Sequence, residues 1–352
     1  MKNVKKILAW ALVLVLAFSL VACGSNSSNA KTSDTAARTT TGETKSSDTT
    51  ATTEPAADNL GNKELIMTVI ITDPFFLSIE KKFKELAEKD GYHVTFMDPN
   101  IKNDALQKMI EDIIVKKPAG VAFAPWDDSH INMVKQLLDA GITTVTYNVP
   151  LTEDLIPTIL NGDYEGGVVG GEAASTQWKK DNPSTEPIIG IVGQPQIGAN
   201  VKRANGFIDG FKKLYPDVKV KPIADGKGDR AKTLAAASDL IQANPDINCF
   251  FGINDNTAMG IVDALKEQNK ADSTKYSVTG FGGSTPVLDE MKKPGSVIKT
   301  EVGQQPTTMG ELTYKALLDA IKGEKGYKLT VVPAVNVTAA EADKFLETQY
   351  PK

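Results

Sequence analysis

What most constrains the fold of this chain is an alternation: short apolar runs of strand length, each followed by an amphipathic stretch of helix length. The first series is 65–72 then 76–89, 93–97 then 104–116, 120–124 then 131–138, closing with 142–148. Asp90-Gly91, Lys117-Pro118 and Ala140-Gly141 stand where a helix must stop and a strand begin. A second series follows Asn161-Gly162-Asp163. There 188–192 precedes a helix through Phe207 and Leu214, 218–224 precedes 231–243, 249–253 precedes 257–267, and 277–281 precedes a short helix near 287–291. Strands this evenly apolar need cover on both faces, which a parallel sheet between two helix layers provides. The expectation is α/β, with two similar lobes, each a doubly wound parallel sheet.

Ahead of this body lies an apolar run, residues 7–20, preceded by Lys2, Lys5 and Lys6 and ending in Leu20-Val21-Ala22-Cys23-Gly24. It is short for a bilayer span, and small residues before a Cys followed by Gly look like a bacterial lipoprotein signal. That likeness implies cleavage after residue 22 and lipidation of Cys23; a retained anchor or an ordinary signal peptide are the alternatives, and each exports the body. Residues 24–59 contain no Ile, Leu, Val, Met, Phe, Tyr or Trp, so they have no core to bury and read as a disordered tether. About 36 residues of such chain have an r.m.s. span on the order of 30 to 35 Å.

The net charge of −5 becomes −5 − 3 = −8 once Lys2, Lys5 and Lys6 leave with the signal. An acidic chain without a Lys/Arg cluster lacks the footprint that nucleic acid requires. With Cys23 lipidated, Cys249 is alone in an apolar run and reads as a buried, inert thiol. An enzyme is not expected. His93 opens a strand and His130 a helix, Asp127-Asp128 before Ser129 reads as a helix start, and no metal, nucleophile-elbow or phosphate-loop motif is present. Gly166-Gly167-x-x-Gly170-Gly171 lacks dinucleotide-binding spacing. No cofactor is implied.

Ligands of open parallel sheets bind beyond the carboxyl ends of the strands. After the successive strands come Thr72-Asp73-Pro74-Phe75-Phe76, Pro125-Trp126-Asp127-Asp128 and Tyr147-Asn148-Val149-Pro150. The second series gives Gly193-Gln194-Pro195-Gln196, Ile253-Asn254-Asp255-Asn256 and Phe281-Gly282-Gly283-Ser284. Aromatic rings interleaved with amides and carboxylates suit a neutral polyhydroxylated molecule, whose C–H faces stack while its hydroxyls find donors and acceptors.

Five segments in order carry a family resemblance: Asp73-Pro74-Phe75-Phe76; Gly162-Asp163-Tyr164-Glu165-Gly166-Gly167; Arg203 with Gly206-Phe207; Asn254-Asp255 followed by Ala258-Met259-Gly260; and Gly280-Phe281. Behind a lipoprotein signal, they resemble the type I periplasmic-binding family, specifically the ribose, galactose and simple-sugar binding proteins of ABC importers, over roughly 65–337. The resemblance implies three strand crossovers forming a hinge, near Asp163, Gly303 and 331–333. The chain then divides into a signal peptide (1–22), a tether (23–59), an N-terminal lobe (60–162 plus 304–331) and a C-terminal lobe (163–303 plus 332–352).

Carried over residue by residue, the resemblance implies that Phe75 and Phe76 stack on a sugar ring, with Asp73 as a polar contact beside them; a core-facing Phe76 is the alternative. Asn148 matches the group ending the fourth strand, and Asn254 a ligand amide. Asp255 is either a ligand neighbour or the cap of the next helix, and Asp163 and Gln304 sit at crossovers, Asp163 alternatively serving the hinge alone. Trp126 offers a stacking face or packs the lobe. Three departures stand out: Val149 and Val201 where arginines are common, and Gly282 where aspartate is usual. Arg203 either shifts into the site or stays structural beside Phe207, and Trp126, Tyr147 and Tyr164 are the aromatic surface available to compensate. The function implied is a monomeric, membrane-anchored binding lipoprotein that closes on a monosaccharide or polyol and delivers it to an ABC permease. The alternative is a sensing lipoprotein that presents a sugar, nucleoside or furanosyl signal to a membrane receptor.

Overall fold

The computed structural model describes residues 62–324 and 326–351. The signal, Cys23 and the tether lie outside these residues. In chain order the first lobe contains β1 (Glu64–Thr68), α1 (Pro74–Lys89), β2 (His93–Met97), α2 (Asn103–Lys116), β3 (Gly120–Phe123), α3 (Ile131–Asp139), β4 (Thr144–Asn148) and β5 (Thr158–Asn161). The second contains α4 (Asp163–Asp181), β6 (Ile188–Gly193), α5 (Gly198–Lys212), β7 (Lys219–Val220), β8 (Ala224–Asp225), α6 (Arg230–Ala243), β9 (Cys249–Gly252), α7 (Asp255–Glu267), β10 (Ser277–Gly282), α8 (Thr285–Met291) and β11 (Ile298–Gly303). The chain then returns to the first lobe with α9 (Pro306–Ile321) and β12 (Leu329–Val332), and re-enters the second with β13 (Val335–Val337) and α10 (Ala342–Gln349).

The first sheet runs β12-β5-β4-β3-β1-β2 and is parallel throughout. The second runs β13-β11-β10-β9-β6-β7, parallel except for β13, which lies antiparallel against β11. Both sheets are covered on two faces. In the first lobe Ile79, Phe83, Met309 and Leu317 of α1 and α9 fill one side, while Leu106, Ile110, Val134 and Leu137 of α2 and α3 fill the other. In the second, α6, α7 and α8 supply Leu240, Ile261 and Leu288 to one face, and α4 and α5 supply Trp178, Phe207 and Phe211 to the other. Burying apolar side chains on both faces is what makes such strands read as continuous apolar runs.

Several strands depart from the alternation. β5 follows β4 without a helix between them, and β11 leads straight to the second crossover. The strand expected at 218–224 is broken into β7 and β8. β7 pairs with Ile188 and Ile189, β8 with Val192 and Gly193 further along β6, and Pro222 lies between them without an N–H for the ladder.

The glycine run of α4 has a packing role. A Cβ on Gly167 would lie 2.3 Å from the Arg203 carbonyl and one on Gly171 2.1 Å from that of Phe207; reciprocally, Gly206 would strike the Tyr164 carbonyl at 2.1 Å and Gly210 that of Val168 at 2.2 Å. Helices α4 and α5 therefore touch backbone to backbone, which no other residue permits there.

Candidate functional site

The chain enters α1 through Asp73, whose carboxylate accepts the Phe76 N–H at 2.9 Å and caps the helix, with Pro74 at its first position. This is a standard way to satisfy orphan N–H groups at a helix start. Burial, reinforced by the negative charges of Asp255 and Asp98, pushes the Asp73 carboxyl above its ordinary range. Asp73 thus stands on the first lobe within reach of the charge of Asp255 on the second. Phe75 is half-buried and meets Phe76 edge-on at 5.3 Å between ring centroids. Phe76 is 5% exposed, belongs to the core cluster, and lies 6.4 Å from the ring of Tyr147.

Tyr147 is wholly buried and donates its hydroxyl to the Thr68 carbonyl at 2.6 Å, so it is core rather than cleft surface. Tyr164 is exposed and donates to Asp209 at 2.9 Å. Neither supplies the compensating surface expected of it, because each ring is committed to its own lobe. Trp126 is half-buried, with its ring edge-on to His130 at 4.4 Å and packed against the α2–α3 core. His130 is itself buried, accepting the Trp126 N–H and contacting Asn103. Burial lowers its pKa, as befits a neutral structural imidazole. Asn148 ends β4 with φ at +77° and accepts from the Asn161 amide of neighbouring β5 at 2.7 Å.

On the second lobe the floor is Arg203. Its Nε donates to Asp163 at 2.7 Å, its Nη1 to the Ile253 carbonyl at 3.1 Å, and its guanidinium lies 4.2 Å from the centroid of the Phe281 ring. One side chain therefore joins the first residue of α4 to the ends of β9 and β10. The ion pair is well buried, 11% and 7% exposed, and its remaining bonding is with a carbonyl and a π face.

Asn254 and Asp255 divide their work. Asn254 is the cap of α7: its Oδ1 accepts the Thr257 N–H at 2.8 Å, Thr257 reciprocates to the Asn254 N–H, and the Asn254 amide donates to the Gly228 carbonyl at 3.2 Å. Asp255 instead accepts the Gly283 and Ser284 N–H groups at 3.1 and 2.8 Å. Buried Glu301 lies beside it and also accepts from Gly283, at 3.1 Å. Burial first, and the Asp255 charge second, push the Glu301 carboxyl well above the ordinary range. Gln304 is buried at the second crossover, where its backbone N–H donates to the Gly282 carbonyl at 3.0 Å.

Two surface cavities, of about 420 and 600 Å³, lie elsewhere: one between β5, β12 and α9, the other between α8 and α10, reaching Tyr350. The strand ends, where the chemistry converges, are a better guide to the site than cavity size. Among the described residues no group of His, Cys, Asp or Glu is arranged to hold a metal, and no helix is long and apolar enough to cross a membrane.

The periplasmic binding protein domain family matches residues 65–325. The chain belongs to that family. Its members are binding proteins rather than enzymes, and the family places the body outside the cytoplasm. A ribose import binding protein of Bacillus subtilis is 28% identical over 281 residues, covering 78% of this chain and 88% of that protein. The D-allose-binding periplasmic protein of Escherichia coli is 28% identical over 290 residues, covering 79% and 89%. Among solved structures, a carbohydrate transporter solute-binding protein from Agrobacterium radiobacter in complex with D-arabinose superposes with a TM-score of 0.73 at 22% identity, over 83% of this chain and 100% of that one. The type I fold, with its two parallel-sheet lobes and three crossovers, is shared.

Against the family pattern, the glycine at 282 has a physical reason. A Cβ there would lie 2.4 Å from Oδ1 of Asp255, and the backbone sits at φ +152°. The Asp255 carboxylate fills the space that a side chain at 282 would need. Val201 is 37% exposed on the first turn of α5, while Arg203, two residues on, reaches the floor. The sequence left Arg203 between two readings; its ring contact and its ion pair place it beneath the strand ends.

Proposed function

We propose that the chain is a binding lipoprotein that captures a monosaccharide or related polyol between its lobes and delivers it to an ABC importer. The observation that carries the reading is the pair of carboxylates that follow β1 and β9, Asp73 on one lobe and Asp255 on the other, near enough that the charge of Asp255 adds to burial in raising the Asp73 carboxyl. Two acceptors facing one space from separate bodies are suited to hydroxyls that bridge them. Family membership and relatives named for ribose and allose import support the same class. Asp73, Phe75, Asn148, Asp163, Asp255 and Gln304 form the proposed contacts. Trp126 stands at the rim, while Phe76 backs Phe75 from the core and Asn254 holds α7 in place.

Ligand bound by both lobes stabilises the closed arrangement by its greater affinity for it, and the closed protein docks on the permease. The lobes divide at Gly162, Gly303 and 332–335 in this reading. The protein works as a monomer held to the membrane by lipid on Cys23, which membrane fractionation of Cys23→Ser tests.

Thermal unfolding of the full chain with D-ribose, D-allose, D-arabinose, polyols and nucleosides tests the ligand class. A sugar at 100 times its dissociation constant adds about 2.7 kcal/mol. A rise with one sugar is expected; silence across the sugars with a rise for a nucleoside would remove the sugar reading and leave the family.

A further inference from the structure

The tail of the chain belongs to one lobe by sequence and to both by contact. Helix α10 is seated on the second lobe: Ala342 joins its core, Phe345 and Leu346 pack against it, and Asp343 pairs with Lys292, just after α8, at 2.6 Å. Tyr350 continues that attachment, its ring 6.2 Å from that of Phe345 and its hydroxyl donating to the Gly282 carbonyl at 2.8 Å. Its backbone neighbours are tied to the first lobe. The Gln349 carbonyl accepts from the Thr307 hydroxyl of α9 at 3.0 Å, and the Pro351 carbonyl from the Lys81 ammonium of α1 at 3.2 Å. The two helices that carry these donors are pressed together, since a Cβ on Gly310 of α9 would lie 2.5 Å from the Ile79 carbonyl of α1. Two further features bear on how firmly the tail is held. Gln349 Oε1 is buried with no hydrogen-bond partner among the described residues, a cost of the same order as the gain from either mooring. Beside the tail lies the cavity of about 600 Å³ between α8 and α10, lined in part by Leu346, Tyr350 and Pro351, so the tail is unpacked on that side.

We propose that residues 349–351 are a strap: a breakable connection between the lobes, added to the three crossovers, that holds them in the arrangement described here and lets go at Thr307 and Lys81 when the cleft opens. The inference rests on the hinged-lobe part of the proposed function and not on the identity of the ligand. The crossovers are covalent and can only bend, whereas the strap makes its contacts in one arrangement and loses them in the other, which is what biases an equilibrium between the two. Release falls on the first-lobe side. Two hydrogen bonds hold there, the one from Lys81 at the surface, while letting go of the second lobe would take α10 and the Tyr350 ring out of their packing. Opening also returns the Gln349 amide to water, which offsets part of what the lost bonds cost and keeps the strap reversible.

Lobe separation in the full chain, measured without any sugar, tests this. Spin labels at Lys102→Cys before α2 and Lys202→Cys in α5, both exposed, report the distance between the lobes. Deleting residues 350–352 is expected to raise the ratio of open to closed molecules about tenfold, the open population lying more than about 2 Å wider. Thr307→Val combined with Lys81→Met, which leaves the tail and its own lobe whole, is expected to act in the same direction. Gln349→Met removes the unpaired acceptor at similar length and is expected to lower the ratio about fivefold. Wild-type distances in the deletion and the double variant would overturn the strap. A shift in the deletion alone would overturn it too, because the effect would then belong to the packing of Tyr350 within the second lobe. If D-ribose, D-allose or D-arabinose still shortens the distance in chains where the strap has failed its test, the hinge stands without it; a distance fixed in every variant and with every sugar removes the hinge together with the strap.

Discussion

Asn254 commits both ends of its amide within the second lobe, so its first duty is to start α7. Asn254→Ala is expected to lower unfolding free energy by about 1 kcal/mol, and Asn254→Asp to keep most of it. The midpoint of urea denaturation reads this, and equal midpoints for wild type and alanine variant would mean the cap is idle. The sequence marked Asn254-Asp255 as a functional pair, yet it did not assign the parts. Either residue type caps a helix, and what decided between them was Gly282, far along the chain, whose missing side chain drew Asp255 toward β10. Glu301 was invisible for a related reason. A Glu in a short strand that also carries Lys299 and Thr300 is informative only once its neighbour is known to be a carboxylate. Its raised folded-state pKa means that its contribution to stability is present at low pH and is lost as pH rises above the ordinary glutamate range. Glu301→Gln, which keeps a neutral hydrogen-bonding group, is expected to gain stability relative to wild type between about pH 5 and about pH 8. Parallel thermal unfolding curves across that interval would refute the upward shift of the Glu301 carboxyl.

At the scale of elements, the tightest constraint is the crossing of α4 and α5. Gly206→Ala places a methyl group against the Tyr164 carbonyl and is expected to cost about 3 kcal/mol, through overpacking that backbone cannot relieve. Gly198→Ala, at the open start of α5 with nothing within 4 Å, is expected to change stability by less than about 1 kcal/mol in either direction. Denaturant midpoints of the two variants give the comparison, and similar losses in both would mean that helix propensity rather than contact sets the cost. Strands and helices that repeat the apolar alternation were legible, most of them to within two residues. β5 and β11 were not, since each is tied to its sheet by partners distant in sequence rather than by a following helix. The aromatic residues were the least legible. Tyr147 and Phe76 carry the same composition signal as cleft residues, and only the direction in which each side chain leaves its element separates core from site.

For the molecule as a whole, closure requires that ligand contact reach both lobes. Trp126 lies in the first lobe and Trp178, fully buried, in the second, so with Trp10 and one of the two replaced by Phe each lobe has its own reporter. A saturating sugar is expected to raise the unfolding temperature read from Trp126 and from Trp178 together. A rise in one alone would place the ligand on a single lobe and exclude the clamp. The chain's route between the sheets has a further consequence, in the making of the protein. Met309, Tyr314, Leu317 and Val332 are integral to the core of the first lobe, yet they follow the whole of β6 to β11 in the chain. That lobe cannot finish its core until nearly all of the polypeptide has been synthesised. Long-range pairing of this kind folds slowly. A chain bound for the outside of the cell thus carries, in the order of its strands, a delay that keeps it threadable during translocation.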